Sequence, residues 1–137
     1  MILLGVDPGR RRVGVAVADT ETRFARPLEV IDTNETDPIA RVIQLIRELE
    51  VECVVVGHPV GLSGRKGPAV AEQQQFLERL RVATDVQVVE HDERLSTVVA
   101  EQGLRAGGGR AAARRQIRDA VAAQVILQGY LDAGAGR

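Results

Sequence analysis

The chain has 137 residues, enough for one domain whose core needs neither disulfides nor a structural metal. Its 18 basic and 19 acidic residues give a net charge of −1, which excludes a polycationic protein that coats nucleic acid. The single cysteine, Cys53, excludes a disulfide framework and a cysteine-rich zinc site. No apolar run has the length of a membrane span, and the first residues lack a signal-peptide pattern. We therefore expect a single-domain cytoplasmic protein over residues 1–137, with a frayed tail at about 133–137.

Three short apolar segments at the start of the chain predict three strands. They cover residues 2–7, 13–19 and 24–31, and the links between them are too short for helices. The strands should therefore form an antiparallel meander. Pro27 predicts that the third strand lies at an edge or is bulged, because proline has no N–H to donate to a sheet.

From residue 36 the apolar residues follow a helical period instead, which predicts a helix that starts near Pro38. The continuous apolar run 51–57 predicts a strand covered on both faces. Beyond it the pattern predicts a glycine-rich loop, helices at 69–82, 97–105 and 112–132, a strand at 86–89 and a triglycine break at 107–109. The element order predicts an α/β fold: a mixed five-stranded sheet, three antiparallel strands followed by two parallel ones, with helices on both faces.

The first candidate for chemistry is Asp7, which ends the first predicted strand. We expect that strand to be central, where an acid is costly without a partner. Gly9 allows a sharp turn and the close approach of a ligand. The alternative is that Asp7 only initiates the turn at Pro8 and Gly9.

Acidic residues also end the fifth predicted strand and interrupt the last helix. Asp92 and Glu93 precede Arg94, and either acid could instead cap the next helix or pair with that arginine. Asp119 has small neighbours, which allow a metal or a phosphate to approach. It could equally complement the helix dipole or pair with Arg115.

Three carboxylates on three elements are the oxygen ligands that Mg²⁺ and Mn²⁺ prefer. Two such ions can activate water and stabilise the leaving oxygen in phosphodiester cleavage. Basic residues near these segments predict a rim that binds a phosphodiester backbone, and solvated surface arginines are the alternative. They are Arg10, Arg11, Arg12, Arg65, Lys66, Arg110, Arg114 and Arg115. The chain has no dinucleotide-binding loop, P-loop or nucleophile elbow.

Four segments together carry a family pattern: GVDPGRRRVGVAVAD at 5–19, VVVGHPVGLSG at 54–64, VVEHDERLST at 88–97 and RDAVAAQVILQGYL at 118–131. They resemble the YqgF/RuvX family, whose members are described as Holliday junction resolvases and as pre-16S rRNA nucleases. The resemblance implies an RNase H-like fold with strand order 3-2-1-4-5. It also implies a nuclease site whose catalytic and metal-binding carboxylates are Asp7, Glu93 and Asp119.

Glu93 is preferred to Asp92 because successive side chains of a strand face opposite ways, so only one of the two is expected at the site. Glutamate reaches further toward Asp7, whereas aspartate is better suited to the following turn. Gly9, His58, Asp92 and Arg94 are candidates to support the site, and a surface loop histidine is the alternative for His58. Two positions depart from the family pattern. Gln116 stands where related junction resolvases carry a further acid, and His58 stands where the residue is often apolar.

The leading hypothesis is a metal-dependent nuclease that acts on structured RNA, with precursor 16S rRNA as its target and Mg²⁺ or Mn²⁺, two ions, as cofactor. The same chemistry on branched DNA is the alternative, because the site contacts phosphate and metal rather than sugar. A non-catalytic nucleic-acid-binding module is a third hypothesis. An actin-like sugar kinase shares the fold, but 137 residues leave no second domain to enclose ATP and substrate.

Overall fold

The computed structural model describes residues 1–58, 68–92 and 111–133, and these contain five strands and three helices. The strands are β1 (Ile2–Asp7), β2 (Arg12–Asp19), β3 (Ala25–Asp32), β4 (Val51–His58) and β5 (Gln87–Asp92). The helices are α1 (Pro38–Leu49), α2 (Pro68–Ala83) and α3 (Ala111–Asp132). The predicted loop at 59–67, helix at 97–105, triglycine break and last four residues of the tail lie outside the described residues.

The five strands form one sheet in the order β3-β2-β1-β4-β5. β2 is antiparallel to both β1 and β3, whereas β4 is parallel to both β1 and β5. This arrangement confirms the predicted mixed sheet. The predicted end of the fifth strand at residue 89 was wrong. Pairing with β4 continues through Gly57–His91 and His58–Asp92, so the strand extends three residues further.

The prediction from Pro27 is confirmed in both respects. β3 lies at an edge of the sheet, and its register with β2 shifts between Val15 and Ala16, where one extra residue of β3 is accommodated. The extra residue reverses the alternation of side chains. Ala25 therefore packs beneath α3, whereas Ile31 packs on the opposite face with α1 and α2.

The core has two layers, one on each face of the sheet. On the face covered by α1 and α2, called the α1/α2 face, Val and Leu side chains of the strands pack against the helices. On the other, the α3 face, the strands present small residues such as Ala16 and Ala18, and α3 packs closely with Ile126 and Leu127. β4 contributes to both layers, as predicted for a strand covered on both faces.

Helix α1 has a capping residue at each end, Asp37 before its first turn and Glu50 after its last. The side chain of Asp37 accepts a hydrogen bond from the backbone N–H of Ile39, and Pro38 occupies the first turn. At the other end Glu50 takes a left-handed conformation with φ of 56°, and its N–H donates to the carbonyl of Ile46. Among the described residues, no helix is both long and apolar enough to cross a membrane.

Candidate active site

Asp7 lies at the carboxyl end of the central strand, half-buried on the α3 face. Side chains alternate along β1, so Asp7 shares a face with Leu3 and Gly5. Leu3 belongs to the core layer beneath α3, and a Cβ on Gly5 would lie 2.8 Å from Cβ of Leu127. The carboxylate is therefore directed to the side of the sheet that α3 covers.

Gly14 allows Asp119 of α3 to lie at the same end and on the same face of the sheet as Asp7. In the register of β1 and β2, Gly14 is the partner of Asp7. A Cβ on Gly14 would overlap the backbone carbonyl oxygen of Asp119, so only glycine allows the helix to pass so close to the strand. The structure thus places two of the three predicted site acids, Asp7 and Asp119, at one end of the sheet and on one face.

The carboxylate of Asp119 is held by Arg12, the first residue of β2. Arg12 Nε donates to Asp119 Oδ2 over 2.7 Å, and the two side chains are 29% and 22% exposed. Arg12 shares the α3 face with Gly14, two residues along the strand. The structure therefore gives Asp119 a partner from another element, while the side chain of the predicted helical partner Arg115 lies outside the described residues.

The other two arginines of the turn after β1 differ in their surroundings. Arg10 Nε donates to Glu72 Oε2 of α2 over 2.8 Å in an exposed ion pair, and Arg11 is also exposed. The hydroxyl of Thr33 lies within hydrogen-bonding distance of both their backbone carbonyls, at 2.7 Å and 3.1 Å. The turn is thereby fixed in position beside Asp7.

Several predicted site residues lie outside the described residues, so their placement stays a prediction. They are Glu93, Arg94, Arg65, Lys66 and Arg110, together with the side chains of His58, Asp92, Arg114 and Arg115. Within the described residues, no three His, Cys, Asp or Glu side chains are grouped to hold a metal ion. The two acids that do converge there supply carboxylate oxygens, which suit Mg²⁺ or Mn²⁺.

The structure describes β5 as far as Asp92, the residue before Glu93. Val89 packs with the core layer beneath α3, and the ring of His91 meets that of Tyr130 edge-on, with centroids 6.2 Å apart. The odd-numbered positions of β5 therefore lie on the α3 face, the same face as Asp7 and Asp119.

Cys53 lies in the core and is not a candidate nucleophile. It is buried beneath α3, and this burial raises the pKa of its thiol. Burial likewise raises the pKa of the neighbouring Tyr130. A thiol that stays protonated is a poor nucleophile, so Cys53 fills space in the core.

Gly14 is not among the residues predicted for the site, although the sequence of β2 carries a signal for it. Gly14, Ala16 and Ala18 alternate with valines in VGVAVA, which is the pattern of a strand with one face pressed closely against a helix. The pairing of Arg12 with Asp119 has no comparable signal, because the two residues are 107 positions apart.

Comparison with known proteins agrees with this geometry. A family model described as "RuvX: Holliday junction resolvase" matches residues 1–133. The chain belongs to this family. It is 43% identical to a protein named "Putative pre-16S rRNA nuclease" from Chloroflexus aggregans, covering 96% of this chain and 93% of the relative. A protein of the same name from an Anaeromyxobacter species is 46% identical, with 96% and 97% covered.

Solved structures share the fold at lower identity. The RuvC of T. thermophilus in complex with a Holliday junction superposes with a TM-score of 0.61 at 22% identity, covering 99% of this chain and 96% of that one. The fowlpox virus resolvase with its Holliday junction DNA gives a TM-score of 0.60 at 13% identity, with 98% and 99% covered. The RNase H-like fold that the resemblance implied is thereby confirmed.

Proposed function

We propose that the chain is a cytoplasmic, metal-dependent nuclease that hydrolyses phosphodiester bonds of structured RNA, with precursor 16S rRNA as its substrate. The observation that carries the proposal is the convergence of Asp7 and Asp119 on one face at the carboxyl end of the central strand. The names of the relatives at 43% and 46% identity support RNA as the substrate class.

Asp7 and Asp119 would hold Mg²⁺ or Mn²⁺ together with Glu93, the residue that the resemblance assigns to this role. The alternation of β5 supports Glu93 over Asp92, because His91 lies on the α3 face two residues before Glu93. When bound, a pair of such ions would activate water and stabilise the leaving oxygen.

Arg12 would position Asp119 for this role. A carboxylate has about four lone-pair sites, and the hydrogen bond from Arg12 occupies one of them on Oδ2. The remaining sites can face a cation while the guanidinium fixes the orientation of the group.

The basic residues would bind the substrate backbone. Arg10 and Arg11 lie in the exposed turn that begins immediately after Asp7, and Thr33 fixes the backbone of this turn. We propose the same phosphate-binding role for Arg65, Lys66, Arg110, Arg114 and Arg115. Such contacts orient a nucleic acid without reading its sequence.

The alternative substrate is branched DNA, which the family description favours. Cleavage of labelled 16S rRNA precursor, a four-way DNA junction and linear controls, each with Mg²⁺, Mn²⁺ or EDTA, separates the two. We expect metal-dependent cleavage of the precursor. Asp7→Asn should abolish it while binding survives, because an amide is a poor ligand for a hard cation. Unchanged Mn²⁺-dependent turnover in that variant would contradict the metal-site proposal.

A further inference from the structure

A groove of about 560 Å³ lies at the end of the sheet where β1 ends, beside α1 and α2. Pro8, Gly9 and Arg10 of the turn after Asp7 line one side, and Gln73, Phe76 and Arg79 of α2 line the other. The volume is that of a site for a small organic ligand. Because the turn begins at the residue after Asp7, the groove lies at the same end of the sheet as the candidate active site, on the side of α1 and α2.

Gln73, one of the residues that line this groove, has a buried hydrogen-bond acceptor. The residue is 3% exposed, and Nε2 donates to the carbonyl of Gly57 over 2.9 Å. Its Oε1 has no hydrogen-bond partner within the described residues. Exchanging the oxygen and nitrogen would set Oε1 against the Gly57 carbonyl, so the amide orientation is fixed. Buried acceptors nearly always have a donor, and in the part of the chain that the structure describes this one has none.

The same groove carries cations that can bind an anion. Arg10 pairs with Glu72, and Arg79 lies 3.6 Å from Asp37, the residue that caps α1. All four side chains are about half exposed or more, and ion pairs of that kind are held weakly. Each guanidinium has five N–H donors, which leaves donors for a phosphate.

We infer that this groove binds one unpaired nucleotide of the substrate, at the end of the sheet that carries the candidate active site, with a base N–H donated to Gln73 Oε1 and the phosphate held by Arg10 and Arg79. Each RNA base carries at least one N–H on its pairing edge, and unpaired bases are recognised through such edges. The inference rests on the proposed function, since the nucleotide belongs to the substrate of the candidate active site.

The direct test is an NMR titration of the full chain in EDTA with adenosine 5′-monophosphate and with purine riboside 5′-monophosphate. The second ligand lacks the exocyclic amine, the N–H donor on the pairing edge of adenine. We expect AMP to shift the side-chain amide signals of Gln73 and to bind at least about tenfold more tightly than the analogue, since a site that uses an N–H rejects a ligand lacking it. Equal affinities, or no binding of either ligand, would overturn the inference.

A protein variant tests the phosphate contact independently. Gln73→Leu leaves the Gly57 carbonyl without its donor and can unfold the chain, so Arg79→Ala is the better change. Arg47 is an exposed arginine of α1 outside the groove lining and provides the control. We expect Arg79→Ala to weaken AMP binding at least about fivefold and Arg47→Ala to leave it unchanged. Identical affinities in the two variants would refute the role of Arg79.

These measurements are separable from the test of the proposed function. AMP has no phosphodiester bond and EDTA removes divalent cations, so the titration measures binding without depending on cleavage. A chain that cleaves RNA but binds AMP and the analogue equally refutes the groove and retains the nuclease. A chain that prefers AMP but cleaves no substrate supports the groove and refutes the nuclease.

Discussion

Arg12 and Asp119 join the start of β2 to α3 through a hydrogen bond of 2.7 Å between Nε and Oδ2. Gly14, two residues further along β2, admits the helix backbone at Asp119 and pairs with Asp7. Arg12 and Gly14 of β2 therefore determine the position of Asp119. They place it on α3 at the end of the sheet where Asp7 ends β1.

Arg12→Ala should lower the rate of cleavage by about 10- to 100-fold at saturating Mn²⁺, the usual cost of losing the partner that orients a metal ligand. Arg41→Ala is the matched control, because Arg41 forms a 2.7 Å ion pair with Glu29 at similar exposure. Urea unfolding should show both variants destabilised by about 1 kcal/mol or less. An equal loss of rate in both would mean that Arg12 acts only through stability.

Asp119→Asn should reduce cleavage further than Arg12→Ala, because in the proposed metal site it removes a charged ligand rather than the group that orients it. Asp132→Asn changes the same residue type near the end of the same helix, where the side chain accepts from Gln128. Rates with Mn²⁺ and melting temperatures should be measured for both. A fully active Asp119→Asn variant would exclude this residue from the metal site.

Glu93→Gln should remove activity with little change in melting temperature, whereas Asp92→Asn should cost stability more than rate. The expectation follows from the alternation of β5, in which His91 lies on the α3 face. Both variants need a cleavage assay and a thermal melt. The reverse pattern would exchange the two roles and leave the nuclease proposal intact.

Gly14→Ala should destabilise the protein by about 3 kcal/mol, the upper part of the range for overpacking, because its Cβ would overlap the carbonyl oxygen of Asp119. Gly129→Ala is a milder test of the same helix, since the Cβ would meet only the movable ring of His91, at 3.0 Å. Urea denaturation should rank the two in that order. Equal losses would show that α3 can shift away from β2 at little cost.

Replacing Arg110, Arg114 and Arg115 together with alanine should weaken RNA binding and flatten its salt dependence. Each lost phosphate contact reduces the slope of log K against log salt by about 0.7 to 0.9. Binding should be measured from low to moderate salt, with Arg47→Ala as a control of one exposed arginine. A slope that stays the same would identify the three arginines as ordinary surface residues.

The fold was largely predictable because each step rests on local constraints. Short links required an antiparallel meander, and the apolar run of β4 required cover on both faces. The end of β5 was missed because its last residues, Glu90, His91 and Asp92, are polar. Their strand conformation comes from pairing with β4, which is a contact between distant parts of the chain.

The candidate site was predictable in part. The sequence identified Asp7 and Asp119 as acids at the end of a strand and on an apolar helix, and the structure places them together. Gln73 was missed although it lies three and four residues before Phe76 and Leu77, on the buried stripe of α2. The amide nitrogen of Gln73 donates to the carbonyl of Gly57 near the end of β4. The spacing of residues along α2 does not reveal this contact with another element.

The bulge in β3 also affects whether a strand of another chain can pair with this edge of the sheet. An edge strand with a regular row of free backbone groups is a template on which another chain can add. Pro27 is exposed on this edge and has no N–H, and the register shift beside it interrupts the row. This edge of the sheet is therefore protected against aggregation, because β3 does not offer a regular row of backbone groups with which a strand of another molecule could pair.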